Sequence, residues 1–260
     1  MPAESLDIPK NPNEQFQRYI NEAFRECQAL SFAEKAQGLW TKPEILRYYA
    51  ELPADESNIH LAESLAQILP NIEKKKILIV GGAVGRLGRY IAATDSNSSV
   101  TEVDTSNKMT DEANRLAREN GQNNFVSIVA DARAIPFKDA EYDYAVAHGL
   151  FRYLSLEDQQ IIVKEMLRVS KYGATIAEGK ARDIIYSLKD SIDPKLLIKE
   201  TKIPMLRTSL FFMLLKKYEN NQQFRLLVNQ KNKDKPIELL AQLAGVSEGT
   251  LYELRLKSNH

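Results

Sequence analysis

Lys74 to Thr94 reads KKKILIVGGAVGRLGRYIAAT, and the reading of this stretch decides the fold. Ile77 to Val80 is an apolar, β-branched run of the kind that forms a strand buried on both faces. It empties directly into Gly81, Gly82, Ala83, Val84 and Gly85, and then into a helical stretch with Leu87 and Ile91 on one face. A strand, a glycine-rich turn and a helix start in that order make a cofactor cradle. The missing side chains let the backbone approach a ligand, and the helix N-terminus offers free N–H groups.

Downstream, the same alternation continues. Ser99 to Val103 is a second candidate strand ending at Asp104, with Thr105 or Ser106 placed to cap a helix that runs to about Glu119. Asn124 to Ala130 is a third strand, ending at Asp131, and Tyr142 to Ala147 a fourth. Ser155 with Asp158 opens a helix through Val169, and Gly173 to Glu178 is the fifth strand. Short strands separated by single helices predict an α/β fold with a mostly parallel sheet and helices on both faces. In such sheets ligands bind beyond the carboxyl ends of the strands, where Gly81, Asp104, Asp131, His148 and Glu178 fall. Asp143, beside Tyr142, is read as structural, supporting the glycine turn from below.

Upstream, residues 1–73 read as an N-terminal helical cap. Phe16, Ile20 and Phe24 recur on one helical face, and Ser31 with Glu34 and Thr41 with Glu44 fit capping boxes. A further helix, His60 to Leu69, leads to the first strand. The cap can close over a ligand crevice or simply cover the sheet. Residues 74–180 form the α/β core. In residues 181–260 the alternation fails, which predicts helical additions: Arg182 to Leu188, Pro194 to Glu200 and Met205 to Tyr218. The last carries Leu206, Leu210, Met213 and Leu214 as an apolar stripe, suited to packing, to a substrate lid or to a homodimer contact. Pro236 to Lys257 has three readings, one of them a plain helix. Ala244 to Tyr252 resembles the turn of a helix-turn-helix, whereas the alternation of Tyr252, Leu254 and Leu256 with charged residues is that of a final sheet strand.

The bulk properties narrow the function. A chain of 260 residues with 35 basic and 35 acidic side chains can bury a full core and has no overall charge that calls for a polyanion. This speaks against nucleic acid as the partner. Cys27 stands alone, so no intrachain disulfide forms, and His60, His148 and His260 lack the spaced partners of a zinc site. No metal is expected. Neither a signal peptide nor an apolar run long enough for a bilayer is present, and the expectation is a soluble cytoplasmic protein without membrane contact.

The glycine turn supports two resemblances. Gly82, Gly85 and Gly88 resemble the dinucleotide loop of nicotinamide-dependent dehydrogenases. Gly81, Ala83 and Gly85 resemble the first motif of class I S-adenosylmethionine-dependent methyltransferases, with Ile79 at the motif's acidic position and Ala83 at its middle glycine. The rest of the core breaks the tie. Val100 to Met109, VTEVDTSNKM, resembles the methyltransferase second motif, and Ile135 to Val146, IPFKDAEYDYAV, its loop before the fourth strand. Lys164 to Glu178, KEMLRVSKYGATIAE, resembles the segment before its fifth strand, with Tyr172 and Ala174 replacing a proline and a glycine. No tyrosine has a lysine four positions later, so the Tyr-x-x-x-Lys pair of short-chain dehydrogenases is missing.

The resemblance, covering about Lys74 to Lys180, implies a Rossmann-like core that binds S-adenosyl-L-methionine and releases S-adenosyl-L-homocysteine. It implies that Gly81, Gly82, Ala83, Gly85, Asp104, Thr105, Met109, Asp131 and Ala132 hold the cofactor, Asp104 through the ribose hydroxyls and Asp131 through the adenine amino group. An ionised carboxylate accepting two bonds from a diol explains the residue type at Asp104. His148 leaves the fourth strand where the family faces the transferable methyl, and an imidazole there can serve as a base. Arg152, Tyr153 and, from the helical cap, Tyr49 are the candidates for substrate contact. The expected activity is methyl transfer to an oxygen, nitrogen or carbon nucleophile of a small molecule. The alternatives are a nicotinamide-dependent oxidoreductase and a noncatalytic regulatory or partner-binding protein on a degenerate methyltransferase core.

Overall fold

The computed structural model describes residues 12–29, 52, 56–68, 74–178, 185, 196–206, 208–244 and 246–255. The chain divides into two compact units. One joins Met1–Ile45 to Leu206–Val246, and the other joins Leu46–Met205 to Ser247–His260. The segment expected as one N-terminal cap is thus shared between the two. Ser31, Glu34, Thr41 and Glu44, as well as Arg182 to Leu188 apart from Ile185, lie outside the described residues.

The larger unit is built on a seven-stranded sheet. Its strands are β1 (Lys76–Val80), β2 (Ser99–Asp104), β3 (Phe125–Val129), β4 (Tyr142–His148), β5 (Ser170–Glu178), β6 (Leu197–Leu206) and β7 (Val246–Arg255). The spatial order is β3-β2-β1-β4-β5-β7-β6. β1 to β5 pair in parallel, and β7 lies antiparallel to β5. The reversal of order at β1 and β4 makes their carboxyl ends the switch point of the sheet, where a crevice forms. Among the described residues, helices α2 (Glu56–Ile68), α3 (Arg86–Thr94), α4 (Asn107–Glu119) and α5 (Leu156–Arg168) belong to this unit.

The β1 sequence explains why it is central. Ile77 and Ile79 pack in one buried cluster with Leu61, Leu87, Ile91, Ala113 and Phe125. Leu78 and Val80 pack in another with Ala145, Phe151, Ile162 and Met166. Alternate residues point to opposite faces, so both faces of a central strand must be apolar. At the amino end, Asp143 accepts the Lys76 N–H at 2.7 Å and an ion pair from Lys171 Nζ at 3.0 Å. Asp143 is therefore structural, but it ties the starts of β1, β4 and β5 and sits at the other end of β1 from the glycine turn.

Two expectations for the C-terminal part are corrected. Pro194 to Glu200 was read as helical, yet Leu197 to Glu200 belong to β6, the edge strand. Ile198, Thr201 and Ile203 are β-branched, Lys199 reaches Glu253 at 3.0 Å and Lys202 reaches Thr250 at 3.0 Å, so cross-strand contacts with β7 override the local helical spacing. Pro204 and the two lysines suit an edge, since a proline cannot donate to a further strand and charges discourage one. The helix-turn-helix reading of Ala244 to Tyr252 also fails. Thr250 and Tyr252 pair with Glu178 and Ile176 of β5, and Tyr252 is buried. The alternation of Tyr252 and Leu254 was the informative signal. Gly173 makes the pairing feasible, because a Cβ there would lie 1.9 Å from the Leu254 carbonyl oxygen.

The smaller unit contains α1 (Pro12–Ala29), α6 (Thr208–Asn220), α7 (Gln222–Lys231) and α8 (Pro236–Ala244). Phe16 stacks on Phe224 with centroids 5.7 Å apart, Tyr19 tilts onto the same ring, and Lys231 lies over Phe16. Lys217 bonds Glu22 at 3.2 Å. Met205 and Leu206, expected to open this helix, end β6 instead; of the rest of the expected stripe, Leu210 and Leu214 are buried, and the Met213 side chain lies outside the description. No helix among the described residues is long and apolar enough to cross a membrane.

Candidate functional site

The glycine turn leaves β1 under tension that a carboxylate relieves. Gly81, Ala83 and Gly85 all have positive φ, of 69°, 55° and 77°. For Ala83 this left-handed conformation costs about 1 kcal/mol, because its Cβ crowds the following carbonyl. Its N–H donates to Asp104 Oδ2 at 3.0 Å, and the Gly81 N–H donates to the Val103 carbonyl at 2.8 Å. The end of β2 thereby holds the turn open. Gly85 is the N-cap of α3.

Asp104 also accepts the Ser106 N–H on Oδ1 at 2.9 Å, while Ser106 Oγ caps α4 by accepting the Met109 N–H at 3.4 Å. Burial pushes the Asp104 carboxyl above the usual aspartate range, and the amides of Ser106, Ala83 and Thr105 oppose that shift. The two oxygens together take three amides and, with about four lone-pair sites, keep acceptor capacity for a hydroxyl. Met109 is buried beside this cap, and Thr105 is exposed. The Ala130 N–H donates to the Asp104 carbonyl at 3.0 Å, which sets the loop bearing Asp131 and Ala132 at the tip of β2. Arg133 clamps the Asp131 carboxylate, at 2.7 Å from Nη2, and reaches Asp158 at 3.3 Å. That guanidinium holds the Asp131 carboxyl below the usual range, and the side chain stays 43% exposed.

On the other side of the switch point, His148 ends β4 opposite Ala177. Gly149 follows with φ 68° and donates to the Ala177 carbonyl at 2.9 Å. Leu150 then returns to the glycine turn: a Cβ on Gly81 would meet its Cδ1 at 2.8 Å. Arg152 and Tyr153 lie in the short 3-10 turn Phe151–Tyr153. The Arg152 N–H donates to Glu178 Oε2 at 3.3 Å and its guanidinium pairs with Glu178 Oε1, on a side chain only 2% exposed.

The structure thus joins Gly81, Gly82, Ala83, Gly85, Asp104, Thr105 and Met109 around one turn and one carboxylate, with Asp131 and Ala132 beside them. His148, Arg152 and Tyr153 occupy the segment that leaves β4, linked to the turn through Leu150. Tyr49 lies outside the described residues.

Residues 77–173 match the family described as methyltransferase domain. Among similar solved structures is phosphoethanolamine N-methyltransferase 2 of Haemonchus contortus, with 14% identity, coverage of 88% of this chain and 60% of that one, and a TM-score of 0.56. The [4+2]-cyclase SpnF is 14% identical, with 95% and 97% coverage and a TM-score of 0.53. Coclaurine N-methyltransferase is 13% identical, with 95% coverage of each chain and a TM-score of 0.51. The chain has the class I methyltransferase fold. Within that fold, the methyltransferase motifs quoted from the sequence fall on the turn after β1, the tip of β2, the loop after β3 and the start of β5. Two further groups of this methyltransferase fold escaped the sequence reading. Leu150 is an ordinary leucine by local pattern. Glu102, an acid within the apolar strand VTEVD, was a visible anomaly, but only the register of β1 against β2 brings it under the glycine turn.

Proposed function

We propose that the chain binds S-adenosyl-L-methionine and transfers its methyl group to an oxygen, nitrogen or carbon nucleophile of a small molecule, releasing S-adenosyl-L-homocysteine. The observation that carries this reading is the Asp104 carboxylate, which holds the turn amide of Ala83 at 3.0 Å and keeps acceptor capacity at the strand tip. A ribose diol fits an acceptor of this kind, while the missing side chains of Gly81 and Gly85 make room for Leu150 and for Phe125 and Ala113. Met109 and the Asp131–Ala132 loop lie beside the same tip, as an adenine pocket requires.

The sulfonium supplies an electrophilic methyl group, so the protein's task is to bind, align and exclude water. His148, at the end of β4, is assigned the proton of a hydroxyl or amine nucleophile. Arg152 is held by Glu178, so the pair adds little net charge to the substrate side; Arg152 and Tyr153 are assigned to substrate positioning. Small-molecule methyltransferases among the similar structures support the substrate class.

A second reading rests on Ile79 and Ala83, which depart from the methyltransferase motif. The same fold can serve another reaction, as the [4+2]-cyclase SpnF illustrates, or a noncatalytic role. Calorimetric titration with S-adenosylmethionine, S-adenosylhomocysteine, NAD and NADP tests both. One-to-one binding of the two sulfur compounds, abolished by Asp104→Ala, is the expected result, followed by a substrate screen in which His148→Ala lowers turnover. Binding of neither sulfur compound overturns the assignment. Binding without methyl transfer to any acceptor would favour the second reading.

A further inference from the structure

The glycine turn rests on a buried acid. Glu102 of β2 is the register partner of Ile79 on β1 and of Ser127 on β3, so its side chain rises on the same face as both. That face carries α3 and the cluster around Ile79, Leu87 and Phe125. The carboxyl group fills the space directly beneath the turn. A Cβ built on Gly82 would lie 2.0 Å from Glu102 Cδ and 2.1 Å from Oε2, and a Cβ on Gly88 would lie 3.3 Å from the same oxygen. Gly82 is therefore a glycine because of Glu102, and not because of its own φ, which is not positive.

The hydrogen bonding is incomplete in an informative way. Glu102 is 0% exposed. Oε1 accepts from Ser127 Oγ at 3.2 Å, and Oε2 has no hydrogen-bond partner among the described residues. An ionised carboxylate placed there would keep one neutral donor in exchange for its whole hydration shell, an exchange that strongly disfavours the charge. The charged groups facing it are Asp104, two residues along the same strand, and Arg89 of α3. Burial and the Asp104 carboxylate push the Glu102 carboxyl well above the usual carboxylate range, and Ser127 and Arg89 oppose them.

We propose that Glu102 is a positioning residue for the cofactor turn: as a neutral acid it forms the floor on which Gly82 rests, and its ionisation displaces the turn and weakens cofactor binding. This rests on the cofactor reading above. The physical reason is that a newly formed carboxylate must reach water, and the turn at Gly82 closes the space above it. Movement of that turn breaks the Ala83 to Asp104 bond and so disturbs the carboxylate assigned to the ribose.

The test compares the wild-type chain with Glu102→Gln, which keeps the shape and cannot ionise. S-adenosylhomocysteine affinity is measured from pH 6.5 to 9.5, together with amide exchange at Ala83 and Gly85. Taking the ratio of the two proteins cancels titration of the ligand and the intrinsic pH dependence of exchange. The expected result is affinities within about threefold at pH 6.5, with the wild type losing about tenfold relative to Glu102→Gln by pH 9.5 and its two amides exchanging correspondingly faster. A ratio that stays flat in both measurements overturns the proposal. If neither protein binds the ligand, the cofactor reading fails on its own, and the amide exchange ratio still decides whether Glu102 governs the turn. A second pair guards against misfolding: Gly82→Ala weakens binding at least tenfold, and Gly82→Ala with Glu102→Gly recovers most of it. Failure of the second change to recover binding or amide protection in a folded protein overturns the contact.

Discussion

Two strand tips at the same edge of the parallel sheet hold their acids in opposite ways. At the end of β2, Asp104 is fixed by backbone N–H groups of Ala83 and Ser106. At the end of β5, Glu178 is fixed by the backbone and guanidinium of Arg152. Neutral amides leave the Asp104 charge in place and free to accept further hydroxyls. A guanidinium cancels the charge of Glu178 and occupies it. The first tip keeps an acceptor that the proposed function assigns to a neutral diol, and the second holds the segment after β4 in position. On the proposed function, one acid is assigned to the ligand, and the other serves the scaffold.

Removing each acid separates the two roles. Glu178→Ala leaves the Arg152 guanidinium without its buried partner and is expected to cost about 3 kcal/mol of stability in urea unfolding, with cofactor affinity in the surviving folded protein nearly unchanged. A larger effect on affinity than on stability would erase the distinction. Asp104→Ala is expected to weaken S-adenosylhomocysteine by roughly thirtyfold, about 2 kcal/mol, because a charged acceptor is lost both to the turn and to the ligand. If it destabilises the fold but binds normally, β2 joins β5 as mere scaffold. Ser106→Ala should cost about 0.5 kcal/mol in thermal or urea unfolding, since the 3.4 Å cap to Met109 is long. A loss above 2 kcal/mol would show that the cap, and not the carboxylate, organises the β2 tip.

The pH dependence sharpens the comparison within β2 itself. Glu102 is pushed well above its ordinary value in the folded chain. Between the ordinary carboxyl range, roughly pH 4, and the raised folded value, the native state binds the proton that the unfolded state has released. Stability from this group is therefore complete below the unfolded value and is lost as pH rises toward the folded one. Urea unfolding of Glu102→Gln should lack that slope and gain on the wild type with rising pH. The opposite trend would place an ionised, well-solvated carboxylate beneath the turn.

The legible part of the site is local in sequence. Gly81 to Gly85 follow an apolar strand without a gap, and Asp104 and Asp131 end apolar strands, so chain order alone delivers them to one edge of a parallel sheet. Tyr49, a candidate from the N-terminal helices, has no orienting pattern in the sequence, and it lies outside the described residues. Arg152 was legible as a candidate, but its partner stands 26 residues away at the end of another strand, and no periodicity links them. β6 was misread because an edge strand has one neighbour and weak alternation. Its lysines and Pro204 describe a solvent edge only once β7 is known to lie beside it.

The sequence by itself determined the alternating α/β core, the buried β1, the glycine turn and the acid-tipped β2, because each follows from side-chain periodicity and backbone freedom within about ten residues. The tertiary structure alone decided what Glu102, Gly82, Leu150 and the Arg152–Glu178 pair do. Their roles depend on strand register and crossover, which bring distant residues within a few ångströms and set their burial. Burial in turn decides whether an acid keeps its proton, accepts a ligand or pairs with a cation.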